Sequence, residues 1–189
     1  MKTALRAQAL ARRDALAAPE RAAAAEILAQ RIADLTPNFP PGPVAGYWPI
    51  RSEADPRPAM SRLRTLGFPI ALPVVTPEGL IFRLWTEAAP LRSAPFGLME
   101  PDDRTPRVEP RTLIVPLAAF DRRGHRIGYG KGHYDRTLAA LGPVLTIGLA
   151  FSIQEIAEIP AEPHDRPLDF VVTERETMAC GEIRGLSRG

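Results

Sequence analysis

A single cysteine, Cys180, rules out an internal disulfide and any metal centre built on several thiolates. The three histidines, His125, His133 and His164, are not arranged at metal-ligand spacing, so none is assigned to a metal. No apolar run is long enough to cross a bilayer, and Met1-Lys-Thr-Ala-Leu-Arg6 lacks the apolar core of a signal peptide. A soluble, cytoplasmic protein with no membrane partner is therefore expected. Charge of one sign is also scarce: 24 basic residues face 22 acidic ones, for a net charge of +2. With the arginines dispersed among acids, no nucleic-acid partner is expected. No Ser/His/Asp or Cys/His set stands out. Repeats and linkers are missing too, so residues 1–189 are expected to form one domain.

Proline is abundant, at 21 residues against a usual share of about 5%, and it punctuates a series of short elements. Lys2–Leu16 has the look of a short basic helix, whose Lys2, Arg6, Arg12 and Arg13 suggest a solvated face. Pro19 suits the first turn of a second helix, with Ile27, Leu28, Ile32 and Leu35 at helical spacing. Pro37–Pro43 ends it. Strands are expected at Val44–Trp48, Ile70–Val75, Leu80–Trp85, Leu113–Leu117, Val144–Leu149 and Phe170–Thr173. Helices are expected at Arg57–Leu66 and from Tyr134 to Leu141, with Gly142 as the latter's C-terminal cap. Leu91–Arg111 reads as mostly irregular. Strands alternating with helices predict an α/β fold: an open, mostly parallel sheet with helices on both faces and ligands at the carboxyl ends of the strands.

One such end carries Phe120-Asp-Arg-Arg-Gly-His-Arg-Ile-Gly-Tyr-Gly-Lys-Gly-His-Tyr-Asp-Arg136. Gly124, Gly128, Gly130 and Gly132 alternate with Arg122, Arg123, Arg126 and Lys131. Glycine lets backbone N–H groups converge, and cations beside them make a receptor for phosphate. Flexible linkers pair Gly with Ser instead. The pattern is neither Gly-x-x-x-x-Gly-Lys-Ser/Thr nor Gly-x-Gly-x-x-Gly, so the glycines alone support no P-loop or dinucleotide assignment. Asp135 could complement a helix dipole or, beside phosphates, hold Mg²⁺. Asp165 alone reads as a turn residue, Glu53 as a loop acid and Trp48 as a core aromatic.

Several segments together resemble the 5-formyltetrahydrofolate cyclo-ligase family. They are Lys2-x-x-x-Arg6, Tyr47…Glu53, Glu100-Pro101, Pro116-Leu-Ala-Ala-Phe-Asp121, Arg126–Arg136, Gln154–Asp165 and Leu168–Thr173, in the family's order over nearly the full length. The resemblance implies an ATP- and Mg²⁺-dependent closure of 5-formyltetrahydrofolate to 5,10-methenyltetrahydrofolate. By position, Lys2, Arg6 and Arg126, Ile127, Gly128, Tyr129, Gly130, Lys131, Gly132, His133 and Tyr134 match ATP contacts. Trp48, Glu53 and Tyr129–His133 match folate contacts, and Asp135 and Asp165 match magnesium ligands. Lys131, Arg126 and Tyr129 are the expected catalytic residues. Small-molecule partners and a monomer are expected; the alternative is a non-catalytic or divergent nucleotide- or pteridine-binding relative. The chain departs from the family's usual pattern at Leu117 (usually Gly), at His133 (commonly Tyr) and at Arg111-Thr112 (commonly an acid), which bears on the folate contact.

Overall fold

The computed structural model describes residues 1–160 and 166–180. The first two expected helices form as α1 (Lys2–Asp14) and α2 (Ala18–Asp34). Pro19 occupies the first turn of α2, and the Glu20 carboxylate accepts the Ala17 N–H at 2.8 Å, answering a donor that a helix start leaves unmet. Strand β1 (Val44–Ala45) leads to α3 (Arg57–Thr65), which starts similarly: Pro58 lies in its first turn and Asp55 accepts the Arg57 N–H at 2.9 Å. The chain continues through β2 (Ile70–Thr76) and β3 (Gly79–Leu84). Next come β4 (Leu91–Ala94), β5 (Leu98–Pro101), β6 (Arg107–Val108) and β7 (Thr112–Pro116). It ends with β8 (Ala119–Phe120), β9 (Arg126–Ile127), α4 (His133–Ala140), β10 (Leu145–Leu149), β11 (Phe170–Val172) and β12 (Thr177–Ala179).

Eight strands form one sheet in the order β12-β11-β10-β7-β1-β2-β3-β6. The five central strands, β11 to β2, pair in parallel, while β12 pairs antiparallel with β11 at one edge and, at the other, β3 pairs antiparallel with β2 and β6 with β3. The expected open, mostly parallel α/β sheet is thus present. Its side chains alternate between two cores. Val44, Ile70, Leu72, Ile114 and Ile147 meet Leu28 and Ile32 of α2 and Met60 and Leu63 of α3. Ala45, Ala71, Leu113 and Val115 meet Leu138 of α4 on the other face. The order explains the two faces. From β1 the chain steps through α3 to β2, and from β7 it steps through α4 to β10 in the opposite direction. Crossovers of one hand then put α3 and α4 on opposite faces and open a crevice between β1 and β7 at their carboxyl ends.

Three expectations need correction. Leu91–Arg111 is not mostly irregular: β4 and β5 pair antiparallel from Leu91↔Pro101 to Ala94↔Leu98, and β6 joins the main sheet. Gly142 does not cap α4 in a left-handed conformation. Leu141 turns extended instead (φ −72°, ψ 144°), and Pro143 restricts the glycine before it. The segment Phe120–Arg136 is not one loop: its first part belongs to the β8–β9 hairpin, and the glycine loop proper follows β9.

Asp121 holds that hairpin. Its carboxylate is fully buried and accepts the N–H groups of Arg123 (3.0 Å), His125 (3.1 Å) and Ile159 (3.0 Å). Burial pushes its pKa up, but the Ile159 N–H, the Arg123 guanidinium and the His125 N–H outweigh this and hold it below the usual carboxylate range. A depressed folded-state pKa stabilises the protein above the unfolded pKa, and that stability is lost as pH falls through the folded one. Asp121→Ala is therefore expected to lower the unfolding free energy by about 3 kcal/mol at neutral pH, because buried N–H groups lose their acceptor. The deficit should shrink in acid, as read by urea titration at several pH values.

Candidate active site

A cleft of about 600 Å³ opens at the carboxyl ends of the central strands. One wall is the glycine loop with the start of α4. Gly128, Gly130 and Gly132 line it; Gly124 does not. Gly124 instead turns the β8–β9 hairpin at φ +83°, where an added Cβ would come within 2.7 Å of the Leu168 carbonyl. The sequence grouped four glycines as one receptor, but close packing accounts for this one. Gly130 takes φ +91°, and the Arg6 guanidinium lies 3.5 Å from where its Cβ would be. Arg6 Nε donates to the Gly128 carbonyl at 2.7 Å, tying α1 to the loop.

The basic helix is accordingly not a simple solvated face. Lys2, Arg6, Ala9 and Arg13 fall at i, i+4, i+7 and i+11, within about 60° on a helical wheel. Lys2 and Arg6 line the cleft, Ala9 packs against Ala119 and Ile127, and Arg13 is 1% exposed. Of the four basic residues, Arg12 alone is solvent-exposed.

Arg126, on β9, donates from Nη1 to the Arg166 carbonyl at 2.9 Å and from Nη2 to Asp135 Oδ1 at 2.5 Å. Both Arg126 and Asp135 line the cleft, and the Asp135 side chain is largely exposed. Asp165 lies outside the described residues. Among those described, no three His, Cys, Asp or Glu side chains converge as a preformed metal cage. Lys131 is exposed at the loop's tip, beside His133. Burial, then the Arg136 and Lys131 charges, lower the His133 pKa, so its ring is neutral near pH 7. Ile127, Tyr129 and Tyr134 complete this wall, and burial raises the pKa of both tyrosines, which keep their protons.

A second wall carries Trp48 and Glu53, on the segment after β1. Trp48 packs edge-to-face on Trp85 with centroids 5.9 Å apart, and the Arg57 guanidinium sits 5.2 Å from its ring. Asp55 holds that guanidinium with bonds of 2.9 and 2.6 Å, so the indole is pinned from two sides. Glu53 is buried, with Oε2 accepting the Ile50 N–H at 2.9 Å. Burial raises its pKa; the Ile50 N–H, the Tyr129 hydroxyl and the Arg13 and Arg51 charges pull it partly back. Pro73, Val75, Leu80, Leu98 and Met99 supply an apolar lining.

Glu100, given no role by sequence reasoning beyond the family likeness, is also buried at the cleft, and its Oε1 accepts the Val75 N–H at 2.9 Å. Arg13 was missed because adjacent arginines read as surface, although the helical spacing from Lys2 carried the signal. Of the departures from the family pattern, only His133 lines the cleft. Leu117 is a core residue in the space left beside Gly148. Arg111 and Thr112 stand at the amino end of β7, with Arg111 packed over Gly42.

Fold and cleft together define an α/β protein whose cleft, at a topological switch point, is lined by a glycine-rich loop with basic side chains and by an aromatic–carboxylate segment. Within that class the comparisons are specific. The family model of the 5-formyltetrahydrofolate cyclo-ligase family matches residues 1–174, and the chain belongs to that family of ligases. The 5-formyltetrahydrofolate cyclo-ligase of Escherichia coli K12 is 32% identical over 171 residues, covering 86% of this chain and 94% of the relative. That of Mycolicibacterium smegmatis is 34% identical over 149 residues, covering 72% and 76%. Among solved structures, the 5,10-methenyltetrahydrofolate synthetase of Aquifex aeolicus superposes with a TM-score of 0.82 at 31% identity, covering 98% and 96% of the two chains. That of Mycoplasma pneumoniae gives 0.72 at 29% identity, covering 92% and 98%.

Proposed function

We propose that the chain closes 5-formyltetrahydrofolate to 5,10-methenyltetrahydrofolate, consuming ATP and releasing ADP and phosphate. The observation that carries this reading is that one cleft is lined by both the glycine loop and the Trp48–Glu53 wall. A phosphate donor and a pteridine bound there would meet at residues 128–133.

A formamide oxygen is a poor leaving group. Transfer of the γ-phosphoryl group to it gives an iminophosphate; N10 then attacks the formyl carbon, the C–O bond breaks, and the oxygen departs with phosphate. Such a reaction needs positioning and charge neutralisation more than covalent help. The loop amides, Lys131 and Arg126 would neutralise the transferring group, and Tyr129 would orient it. Lys2 and Arg6, with residues 126–134, would hold ATP. Trp48 would stack on the pteridine, Glu53 would accept its N–H groups, and residues 129–133 would border it. Asp135 fits Mg²⁺, which takes one or two carboxylates with phosphate oxygens and needs no preformed cage. Asp165 is the proposed second carboxylate. Bound there, the ion would offset phosphate charge.

Neutral His133 would take the N10 proton. The kcat–pH profile should then carry an acid limb below the ordinary histidine range that disappears in His133→Phe; an unaltered limb would remove this role. We further propose that residues 1–189 act as one monomeric domain in the cytoplasm, on small molecules and not on nucleic acid or membrane. No helix among the described residues is long and apolar enough to cross a membrane. The reading is tested by incubating the protein with 5-formyltetrahydrofolate, ATP and Mg²⁺ and following the methenyl product's absorbance. Product without ATP, or ATP hydrolysis without product, would overturn it.

A further inference from the structure

Arg13 lies outside the cleft lining, yet it joins the two walls. A buried guanidinium is costly unless its N–H groups are matched. Here Nε donates to Ser52 Oγ at 3.0 Å, Nη1 donates to the Tyr129 hydroxyl, and Nη2 lies 3.5 Å from Asp14 Oδ1. Ser52 in turn donates to Asp14. The guanidinium carbon also stands 5.7 Å from the Tyr129 ring centroid. Ser52 belongs to the turn that carries Glu53, and Tyr129 belongs to the glycine loop. The last turn of α1 thus holds, through one side chain, the segments proposed to bind the two substrates.

We infer that Arg13 is a positioning residue for the folate-binding wall: by clamping Tyr129 and Ser52 it aims the Glu53 carboxylate at the pteridine's N–H donors. This rests on the proposed function and assigns within it a residue that touches neither substrate. The arrangement is more than a structural staple, because its charge acts on Glu53. The groups facing Glu53 are Arg13 from α1, Arg51 from its own turn, Tyr47 from the segment after β1, Tyr129 from the loop and Tyr134 from α4. Burial raises the Glu53 pKa, while the Tyr129 hydroxyl and the Arg13 charge oppose the rise. Without the Arg13 charge the pKa climbs further, so less carboxylate is present at a given pH. Folate affinity, which needs the carboxylate, then fails at a higher pH.

The test is binding of 5-formyltetrahydrofolate without ATP, followed by quenching of Trp48 and Trp85 fluorescence across the acid-to-neutral range. Arg13→Met is expected to weaken folate roughly tenfold at neutral pH, about the share of one charge-assisted hydrogen bond. It should also move the acid limb of affinity to higher pH and leave ATP affinity within about twofold. Arg13→Lys, which keeps the charge, should recover part of the loss and return the limb toward wild type. Tyr129→Phe should move the limb in the same direction as Arg13→Met. An unmoved limb in Arg13→Met, or folate and ATP affinities falling in parallel, would overturn the inference. If Arg13→Met does not fold, Arg13→Lys decides: an undiminished folate affinity there, or folate and ATP affinities falling in parallel, overturns the inference. A wild-type protein that binds folate but never forms product would defeat the proposed reaction without touching this result.

Discussion

Lys131→Ala is expected to lower kcat for methenyl formation by about 10²–10³-fold, with the KM for folate changed only a few-fold and the thermal midpoint unmoved. The asymmetry follows from position. Lys131 is exposed at the tip of the glycine loop, so truncation removes little packing. In the proposed reaction its charge would be used as the γ-phosphoryl group loosens from ADP, and an interaction made chiefly in the transition state lowers kcat when it is lost. Asp135→Ala should produce a comparable fall, with a raised Mg²⁺ requirement that Lys131→Ala does not show. Arg126 would keep its bond to the Arg166 carbonyl in that variant, so the loop is expected to hold its shape. Near-normal rates in both variants would contradict the assignment of this wall.

Glu53→Gln is the second large effect, and it separates the substrates. Glutamine can still accept the Ile50 N–H but has no charge for the pteridine N–H groups, so the KM for folate should rise by about 10²-fold while that for ATP stays nearly constant. A pH signature accompanies it. The folded-state pKa of Glu53 is raised, chiefly by burial. The protonated form is therefore favoured by folding, and the Glu53 contribution to stability is full below the unfolded pKa and declines as pH rises through the folded one. The stability of wild type relative to Glu53→Gln should fall over that window. Denaturant titrations of both proteins at matched pH check it; a difference that grows with rising pH would mean that Glu53 is ionised more readily than its burial implies.

The parts of the fold legible in sequence were those with a long enough period. The β2 and β7 runs, and the apolar spacing of α2, repeat over enough residues to declare their type. The β8–β9 hairpin has two-residue strands, and β4–β5 alternates too weakly among prolines and arginines to read as a ladder. The site shows the same division. Glycine–cation interleaving reports backbone shape directly, so residues 128–132 were recognisable before any contact was known. Gly124 carries the same letter for a different reason, the nearby Leu168 carbonyl. Glu53 and Trp48 had no local signature; pairing of β1 with β7 brings them into the same cleft as the loop, and pairing is a long-range property. Arg13 was hidden by an assumption about arginine, since a buried one requires partners at Ser52 and Tyr129 that are far away in sequence.

The fate of one oxygen atom tests the proposed chemistry. The enzyme is given 5-formyltetrahydrofolate labelled with ¹⁸O in the formyl group, together with ATP and Mg²⁺, and the released phosphate is analysed by mass spectrometry. If the cleft joins the formyl oxygen to the γ-phosphate, each phosphate released carries one ¹⁸O and each methenyl product carries none. Label recovered in water, with unlabelled phosphate, would mean that the oxygen leaves without being phosphorylated and that the loop is not the meeting point of the two substrates.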